Sequence, residues 1–450
     1  MLAVNPHCIQ RQGKHTMLRA RLAFLLVTLA SLAVISPAAA APRADDPGLA
    51  ATGEVLVGYT DASSEGARDR AAGRVSPVAV EKVARGRGRG GPVELLELPG
   101  GVSNSDAIAA LGSDPAVAYA EPNWTVRKAV TSNDPYFTNG SLWGMGGGFG
   151  SQASIAWGSG HTGSSSVYVG VIDEGIQYSH PDLDGNVANP GETVNGLDDD
   201  GNGYVDDRYG WDFANGDNTV YDGGSRGRLD DHGTHVSGTI GGEGGNGTGV
   251  AGVNWDVGLL SGKFLGRNGG TTADAVRAVD YFTTLKQRGL PIVATNNSWG
   301  GGGYSQALYD AIARANAADI LFVAAAGNSG TNNDTTASYP SNYELPNVIA
   351  VAAIDRNGAL ASFSQYGRTT VDLGAPGVGV WSTTAFSNYS SYNGTSMATP
   401  HVTGAAALYK ASNPTATALQ VKEAILGAAT PTSSLTGKTV TGGRLNAGGF

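Results

Sequence analysis

Asp173, His232, Ser396 and Asn328 are of the types needed for acyl transfer through a serine nucleophile. A serine hydroxyl is weak at neutral pH and needs an adjacent base to take its proton during attack. An imidazole serves as that base, and a carboxylate fixes its tautomer and stabilises the imidazolium. Asp173 closes the run Val-Tyr-Val-Gly-Val-Ile-Asp. A carboxylate at the end of a buried strand is costly unless it is paired, and an imidazole is a suitable partner. His232 lies in Asp-His-Gly-Thr-His-Val-Ser-Gly and Ser396 in Asn-Gly-Thr-Ser-Met-Ala-Thr-Pro-His, each at the start of a predicted helix. A helix N-terminus favours developing negative charge. Asn328 follows Phe-Val-Ala-Ala-Ala-Gly and offers a side-chain amide to an oxyanion.

These residues need elements to position them. Short apolar runs at 167–172, 257–265, 291–298, 320–326 and 347–354 read as strands. Between them, 272–288 carries Val276, Val279, Tyr281, Phe282 and Leu285 at helical spacing, and 304–318 does likewise with Leu308, Ile312 and Ala315. Further helices are expected over 395–410 and 418–428. The alternation predicts an α/β fold with a largely parallel central sheet covered on both faces. In such sheets the ligand site lies beyond the carboxyl ends of the strands. Asp173, Ser298 and Asn328 are polar residues at such ends.

Upstream, strands are expected at 54–59, 93–98 and 116–120, a helix at 105–111 and a flexible basic loop at 85–91. This makes a small α+β unit, at about 75 residues marginal on its own. Farther upstream, Arg19 and Arg21 precede an apolar run over 22–35, followed by Ala38, Ala39 and Ala40. That is the pattern of a secretory signal peptide with its cleavage site. The apolar run is short for a membrane span. Met17 reads as an alternative start. The only cysteine, Cys8, lies before the expected cleavage, so the exported chain has no disulfide framework and no cysteine-based zinc module.

Hydrophobic residues at 41% and charged residues at 15% exclude a chain disordered throughout. The net charge of −10 argues against a nucleic-acid partner. Its distribution is uneven, because ten aspartates fall between 198 and 231. Asp198, Asp200 and Asn202 alternate like the opening of an EF-hand loop, with Tyr204 offering a carbonyl and Asp207 or Asp206 closing the shell. So many carboxylates repel one another without cations, and the oxygen-rich set suits calcium better than magnesium.

The motifs around His232 and Ser396, with the order Asp, His, Ser, identify the chain as resembling the subtilisin-like serine peptidases over residues 134–450, thermitase-like secreted members among them. The resemblance implies a three-layer subtilisin-like fold and endopeptidase action on proteins and peptides through an acyl-enzyme. It also implies a prodomain that assists folding, inhibits as an intramolecular partner and is removed by self-processing. The expected organisation is a signal at 1–40, a prodomain at 41–128 and a catalytic domain at 129–450, secreted and monomeric, without stable membrane association once the signal is cleaved. The mature start is expected between Trp124 and Asn133.

Carried over by motif, Asp173 orients the histidine, His232 is general base and acid, and Ser396 is the nucleophile. Asn328 completes the oxyanion hole with the Ser396 backbone N–H, and His235 and His401 are structural. Gly269, Gly270 and Thr271, with Ser298, Trp299 and Gly300, match segments that flank an extended substrate. Ala325, Ala326 and Gly327 leave the primary pocket open. With no acidic residue in these motifs, broad specificity leaning to apolar or aromatic side chains is expected. A second calcium loop is implied at Asp212, Asp217 and Thr219. A third is implied at Asp134, Asp182, Asn246, Thr248 and Val250, the last two through carbonyls. Two or three structural Ca2+ sites are thus expected. One departure stands beside the catalytic carboxylate: Glu174 occupies a position where the family usually has Thr or Ser.

Overall fold

Residues 50–86, 91–124, 130–223 and 230–450 are described by the structure, a computed structural model. The expected signal segment, Cys8, the tip of the basic loop and residues 125–129 lie outside the described residues. The chain divides into two compact units, one before and one after the boundary between residues 126 and 127.

The first unit runs β1 (Ala50–Tyr59), α1 (Glu65–Ala72), β2 (Ala79–Ala84), β3 (Val93–Glu97), α2 (Asn104–Gly112) and β4 (Val117–Trp124). Its antiparallel sheet has the order β2-β3-β1-β4. Val55, Val57 and Tyr59 alternate along β1 and bury one face with Leu96 and Leu111. Neither α1 nor β2 was legible as an element. Helix α1 buries only Ala71 and Ala72 and starts on the Ser64 cap, so it has no apolar stripe. Strand β2 is exposed at every position and shows no alternation.

The second unit opens with α3 (Pro135–Thr138) and α4 (Ala153–Gly158), then β5 (Gly163–Asp173), β6 (Gly210–Asp212), α5 (Asp231–Gly241), β7 (Asp256–Lys263), α6 (Thr272–Gln287), β8 (Ile292–Asn297), α7 (Gln306–Ala317), β9 (Leu321–Ala325) and β10 (Val348–Ile354). It continues with β11 (Leu373–Pro376), β12 (Val380–Thr384), β13 (Asn388–Tyr392), α8 (Thr395–Ser412), α9 (Ala418–Gly427), β14 (Thr430–Pro431) and β15 (Gly443–Arg444). The five strands and four helices expected from the sequence correspond to β5, β7, β8, β9 and β10 and to α6, α7, α8 and α9.

The nine-stranded sheet has the order β14-β15-β11-β10-β9-β8-β5-β7-β6. Its pairs are parallel except β14 with β15 at the edge. Both faces are buried, which is why the strands read as continuous apolar runs rather than alternating ones. Along β5, Val167, Val169 and Val171 pack on one side with Val236 of α5, Ala405 of α8 and Ile425 of α9. Tyr168 and Ile172 pack on the other with Phe282 of α6 and Ile312 of α7. Gly170 gives the Phe282 ring its place, since a Cβ there would lie 2.8 Å from it. The result is a three-layer α/β unit. Strand β5 lies between β7 and β8, where the order of the sheet reverses. That is the switch point at which such sheets place a site.

The β12–β13 hairpin was not anticipated. Its strands are rich in Ser, Thr and Asn, and its turn holds Phe386 and Ser387 at positive φ, residues that announce no hairpin.

Candidate active site

Asp173 is the last residue of β5, and His232 and Ser396 lie in the first turns of α5 and α8. Asp173 is fully buried, and its Oδ1 lies 2.8 Å from Nδ1 of His232. The same oxygen accepts the Glu174 backbone N–H at 2.8 Å, while Oδ2 is buried with no partner among the described residues. About a third of the His232 side chain (31%) remains open to solvent. Burial alone would lower the imidazole pKa; the Asp173 charge and hydrogen bond, with the Glu174 charge, raise it to about 9.

Ser396 is seated by a proline. Pro400 lies inside α8 and has no N–H to give the carbonyl of Ser396 four residues earlier. That carbonyl accepts instead from the Ser298 hydroxyl at 2.9 Å. In return, the Ser396 hydroxyl donates to the Ser298 carbonyl at 3.1 Å. Asn296 donates to the Ser298 hydroxyl at 3.0 Å and accepts from Thr403 at 2.9 Å, so β8 and α8 are joined by a buried polar chain.

The Asn328 side-chain oxygen accepts from the backbone N–H of Thr395 at 2.9 Å. A backbone N–H can only donate, so the amide is fixed with its NH2 turned the other way. A Cβ on Gly394 would lie 3.5 Å from the Ser396 N and 3.6 Å from Nδ2 of Asn328, so the two nitrogens flank the same spot. His232, Asn328 and Ser396 share the wall of one open hollow.

Two cavities lie nearby, the first sharing Asn328 and Ser396 with this hollow and the second adjoining the first at Trp299 and Gly300. One, of about 520 Å³, is lined by Trp299, Gly300, Ala325, Gly327 and Gln365 among uncharged residues, and reaches Ser396. The other, of about 350 Å³, is lined by Gly269, Gly270, Thr271, Trp299 and Gly300. Ser298 departs from the expectation: it is buried and lines neither cavity, although Trp299 and Gly300, which follow it, line both. Gly327 has φ +113, and a Cβ there would meet Gln365 at 1.9 Å, so only glycine fits. Ala326 departs from the expectation: it is fully buried among Ala350, Ala352 and Val371, behind the cavity wall. Gln365, which no motif marks, lines the cavity in its stead.

The acidic loops differ from one another. Glu192, Asp198 and Asp200 bring carboxylate oxygens within 4.8 Å of one another. Asn202 donates to Asp200 and Asp207 at 3.1 and 2.8 Å. Tyr204 packs its ring on Trp211 and Tyr281. Asp206 accepts the N–H groups of Asn195 and Gly196 and so faces away from this cluster, whereas Asp207 is tied to Asn202. Burial, together with the Asp200 and Asp198 charges, pushes Asp207 up to about 6. Glu192 Oε2 and Asp207 Oδ1 are buried with no partner among the described residues. Orphaned carboxylate oxygens facing other carboxylates fit a bound cation. Glu192 lies outside the Asp-rich run, and its sequence signal is only a lone acid in a glycine-rich loop.

Asp134 and Asp182 are fully buried and converge on the 245–250 loop. Asp134 accepts from Gly245 and Gly247 N–H, and Asp182 from the Asn246 amide and Val250 N–H. Thr248 N–H closes the turn on Asn246 Oδ1. The expected third set is thus brought together, and the Ser132 hydroxyl also donates to Asp134 at 2.6 Å.

The loop of Asp212, Asp217 and Thr219 is arranged otherwise. Asp212 accepts the N–H groups of Ala214 and Asn215, and Asp217 accepts both N–H and hydroxyl of Thr219. The neighbouring cation is a lysine. Lys263 is 1% exposed and lies 2.7 Å from Asp222, 2.7 Å from Asp230 and 3.7 Å from Asp212. A lysine inside a doubly buried strand signals buried carboxylates, although not which ones. Removing one member of such a cluster leaves uncompensated charge. Lys263→Met is therefore expected to destabilise the fold by about 3–5 kcal/mol in urea unfolding with calcium present. A change below about 1 kcal/mol would show that these carboxylates need no ammonium.

A buried carboxylate on an imidazole, a serine at a helix start and an asparagine amide nitrogen near the serine N, at the switch point of a parallel sheet, define a serine hydrolase. The subtilase family model matches residues 164–446, and a fervidolysin N-terminal prodomain model matches residues 36–123. The chain belongs to the subtilase family. It is 38% identical over 309 residues to a thermophilic serine proteinase of Bacillus sp. (strain AK1), covering 68% of this chain and 67% of that one. It is 40% identical over 268 residues to subtilisin DY of Bacillus licheniformis, covering 59% and 84%. A solved protease structure from Pseudoalteromonas arctica is similar with a TM-score of 0.58 and 30% identity, over 71% of this chain and 98% of that chain. The chain is thus a subtilisin-like serine endopeptidase with an N-terminal prodomain segment.

Proposed function

We propose that this protein is exported as a zymogen, frees its own catalytic domain and cleaves proteins and peptides outside the cell with calcium bound. The observation that carries the catalytic assignment is the 2.8 Å contact of Asp173 with His232, in one hollow with Ser396 and Asn328. The Ser396 hydroxyl turns from the Ser298 carbonyl to His232, which takes its proton as the oxygen attacks the substrate carbonyl. Asp173 holds the imidazole in the tautomer that accepts at Nε2 and stabilises the imidazolium. The tetrahedral oxyanion is met by Nδ2 of Asn328 and the N–H of Ser396. His232 then gives the proton to the leaving amine, and water repeats the sequence on the acyl-enzyme.

An extended peptide lies between Gly269, Gly270 and Thr271 on one side and Ser298, Trp299 and Gly300 on the other, adding a strand through main-chain bonds. Its side chain enters the uncharged cavity past Ala325 and Gly327, which supports broad specificity without a demand for Lys or Arg.

Export rests on Arg19, Arg21 and the apolar run with its small-residue end. Among the described residues no helix is long and apolar enough to cross a membrane. The proposed segments are a signal at 1–40, an inhibitory prodomain at 41–128 and a monomeric catalytic domain at 129–450, with no nucleic-acid partner. Calcium is assigned to Asp198, Asp200, Asp207 and Glu192, and to Asp134 and Asp182 with Asn246 and the Thr248 and Val250 carbonyls. Asp212 already has an ammonium beside it, which favours two sites over three. Bound there, the ion neutralises buried carboxylates and fixes the loops that carry them.

The test of the oxyanion assignment is Asn328→Ala, expected to lower kcat by about 10²–10³ with little change in KM. A loss below about fivefold would take Asn328 out of the oxyanion site.

A further inference from the structure

Glu174 follows the catalytic carboxylate, and the triad chemistry gives it no task. Helix α5 starts at Asp231, but its cap residue Asp230 makes no side-chain cap bond. The Asp230 carboxylate is drawn away, accepting from Lys263 at 2.7 Å and from the Asp222 N–H at 2.5 Å. The first turn of the helix therefore has an N–H to satisfy at His232. Glu174 reaches across from the end of β5, and its Oε1 accepts that N–H at 2.6 Å. Consecutive residues thus hold the catalytic histidine at two points, Asp173 on the ring and Glu174 on the main chain.

We propose that Glu174 is a positioning residue that clamps the main chain of His232 and, through its charge, sets the pH at which His232 becomes a base. This rests on the triad reading given above. The charged groups around it are Asp173 on its own strand, His232 and Asp230 of the α5 start, and Lys263 of β7, which is paired with Asp230 and Asp222. Among the described residues no lysine or arginine forms an ion pair with Glu174, so its charge acts on the imidazole. Burial and the Asp173 charge raise Glu174 to about 7, so it gains its charge near neutral pH. The sign follows. As pH rises through that value the new carboxylate favours the imidazolium, and His232 releases its proton at higher pH than beside a neutral neighbour.

Three variants separate the two roles, each read as a pH profile of kcat/KM on a peptide substrate with active sites counted by a fluorophosphonate. Glu174→Gln keeps an oxygen for the His232 N–H but no charge, so the acid limb is expected about 1 pH unit lower. Glu174→Asp keeps the charge but falls short, so the limb stays and the plateau of kcat drops about tenfold. Glu174→Ala shows both effects. A Glu174→Gln limb superimposed on wild type overturns the electrostatic role. Undiminished plateaus in Glu174→Asp and Glu174→Ala overturn the clamp. Should Glu174→Gln fail to fold, Glu174→Asp against Glu174→Ala still compares limbs with and without the charge. A wild-type enzyme that neither labels at Ser396 nor cleaves peptides would instead bring down the triad reading itself.

Discussion

Ser396→Ala is expected to lower peptide hydrolysis by about 10⁶-fold in kcat, the size reported for removal of the nucleophile from subtilisin itself. The fold survives this change, because the hydroxyl makes one hydrogen bond at 3.1 Å and the carbonyl bond to Ser298 remains. What is left is hydrolysis by water positioned against Asn328 and the backbone N–H, roughly 10³–10⁴-fold over solution. The same variant tests self-processing. Secreted Ser396→Ala should retain the 41–128 segment, while wild type begins between Trp124 and Asn133. N-terminal sequencing of the two side by side reads both results. A mutant that cleaves substrate at the wild-type rate would end the assignment of Ser396. A mutant that is inactive yet correctly processed would assign maturation to another protease.

Chelation is the second large effect. An ion bound by the native state alone stabilises by about 4 kcal/mol when present at a thousand times its dissociation constant. For a domain of this size that corresponds to roughly 10 °C in melting temperature for one site. The only cysteine lies in the expected signal segment, so no covalent crosslink stands in for the metal. With a chelator the melting temperature should fall by about that much or more, and self-digestion should accelerate. Glu192→Gln and Asp200→Ala should reproduce much of the loss in calcium-containing buffer and leave the variant less responsive to added calcium. An identical melting temperature with and without chelator would rule out structural calcium. A normal calcium response in both variants would move the ion away from the 198–207 loop.

The parts legible in the sequence were those written locally. Asp173, His232, Ser396 and Asn328 sit in short motifs at element ends, and strands buried on both faces appear as apolar runs. What escaped is made by residues meeting across the fold. Lys263 was hidden in an apolar run because its partners, Asp212, Asp222 and Asp230, come from three other stretches of chain. Glu192 joins the 198–200 carboxylate cluster from outside the Asp-rich run. Gln365 reaches the pocket from a distant loop, while Ala326, adjacent to two pocket residues, turns away because side chains alternate along extended chain. Strand β2 and the β12–β13 hairpin lacked an apolar face to reveal them.

Pro400 has a consequence for selectivity. By withholding one N–H it ties the Ser396 carbonyl to Ser298, which directly precedes the Trp299–Gly302 segment walling both cavities. The part that feels the substrate and the part that attacks it are therefore one mechanical joint. A side chain that fits poorly against Trp299 or Gly300 disturbs the seat of Ser396 as well as its own contacts. Such an enzyme discriminates among peptides by how fast it turns them over, and not only by how tightly it holds them.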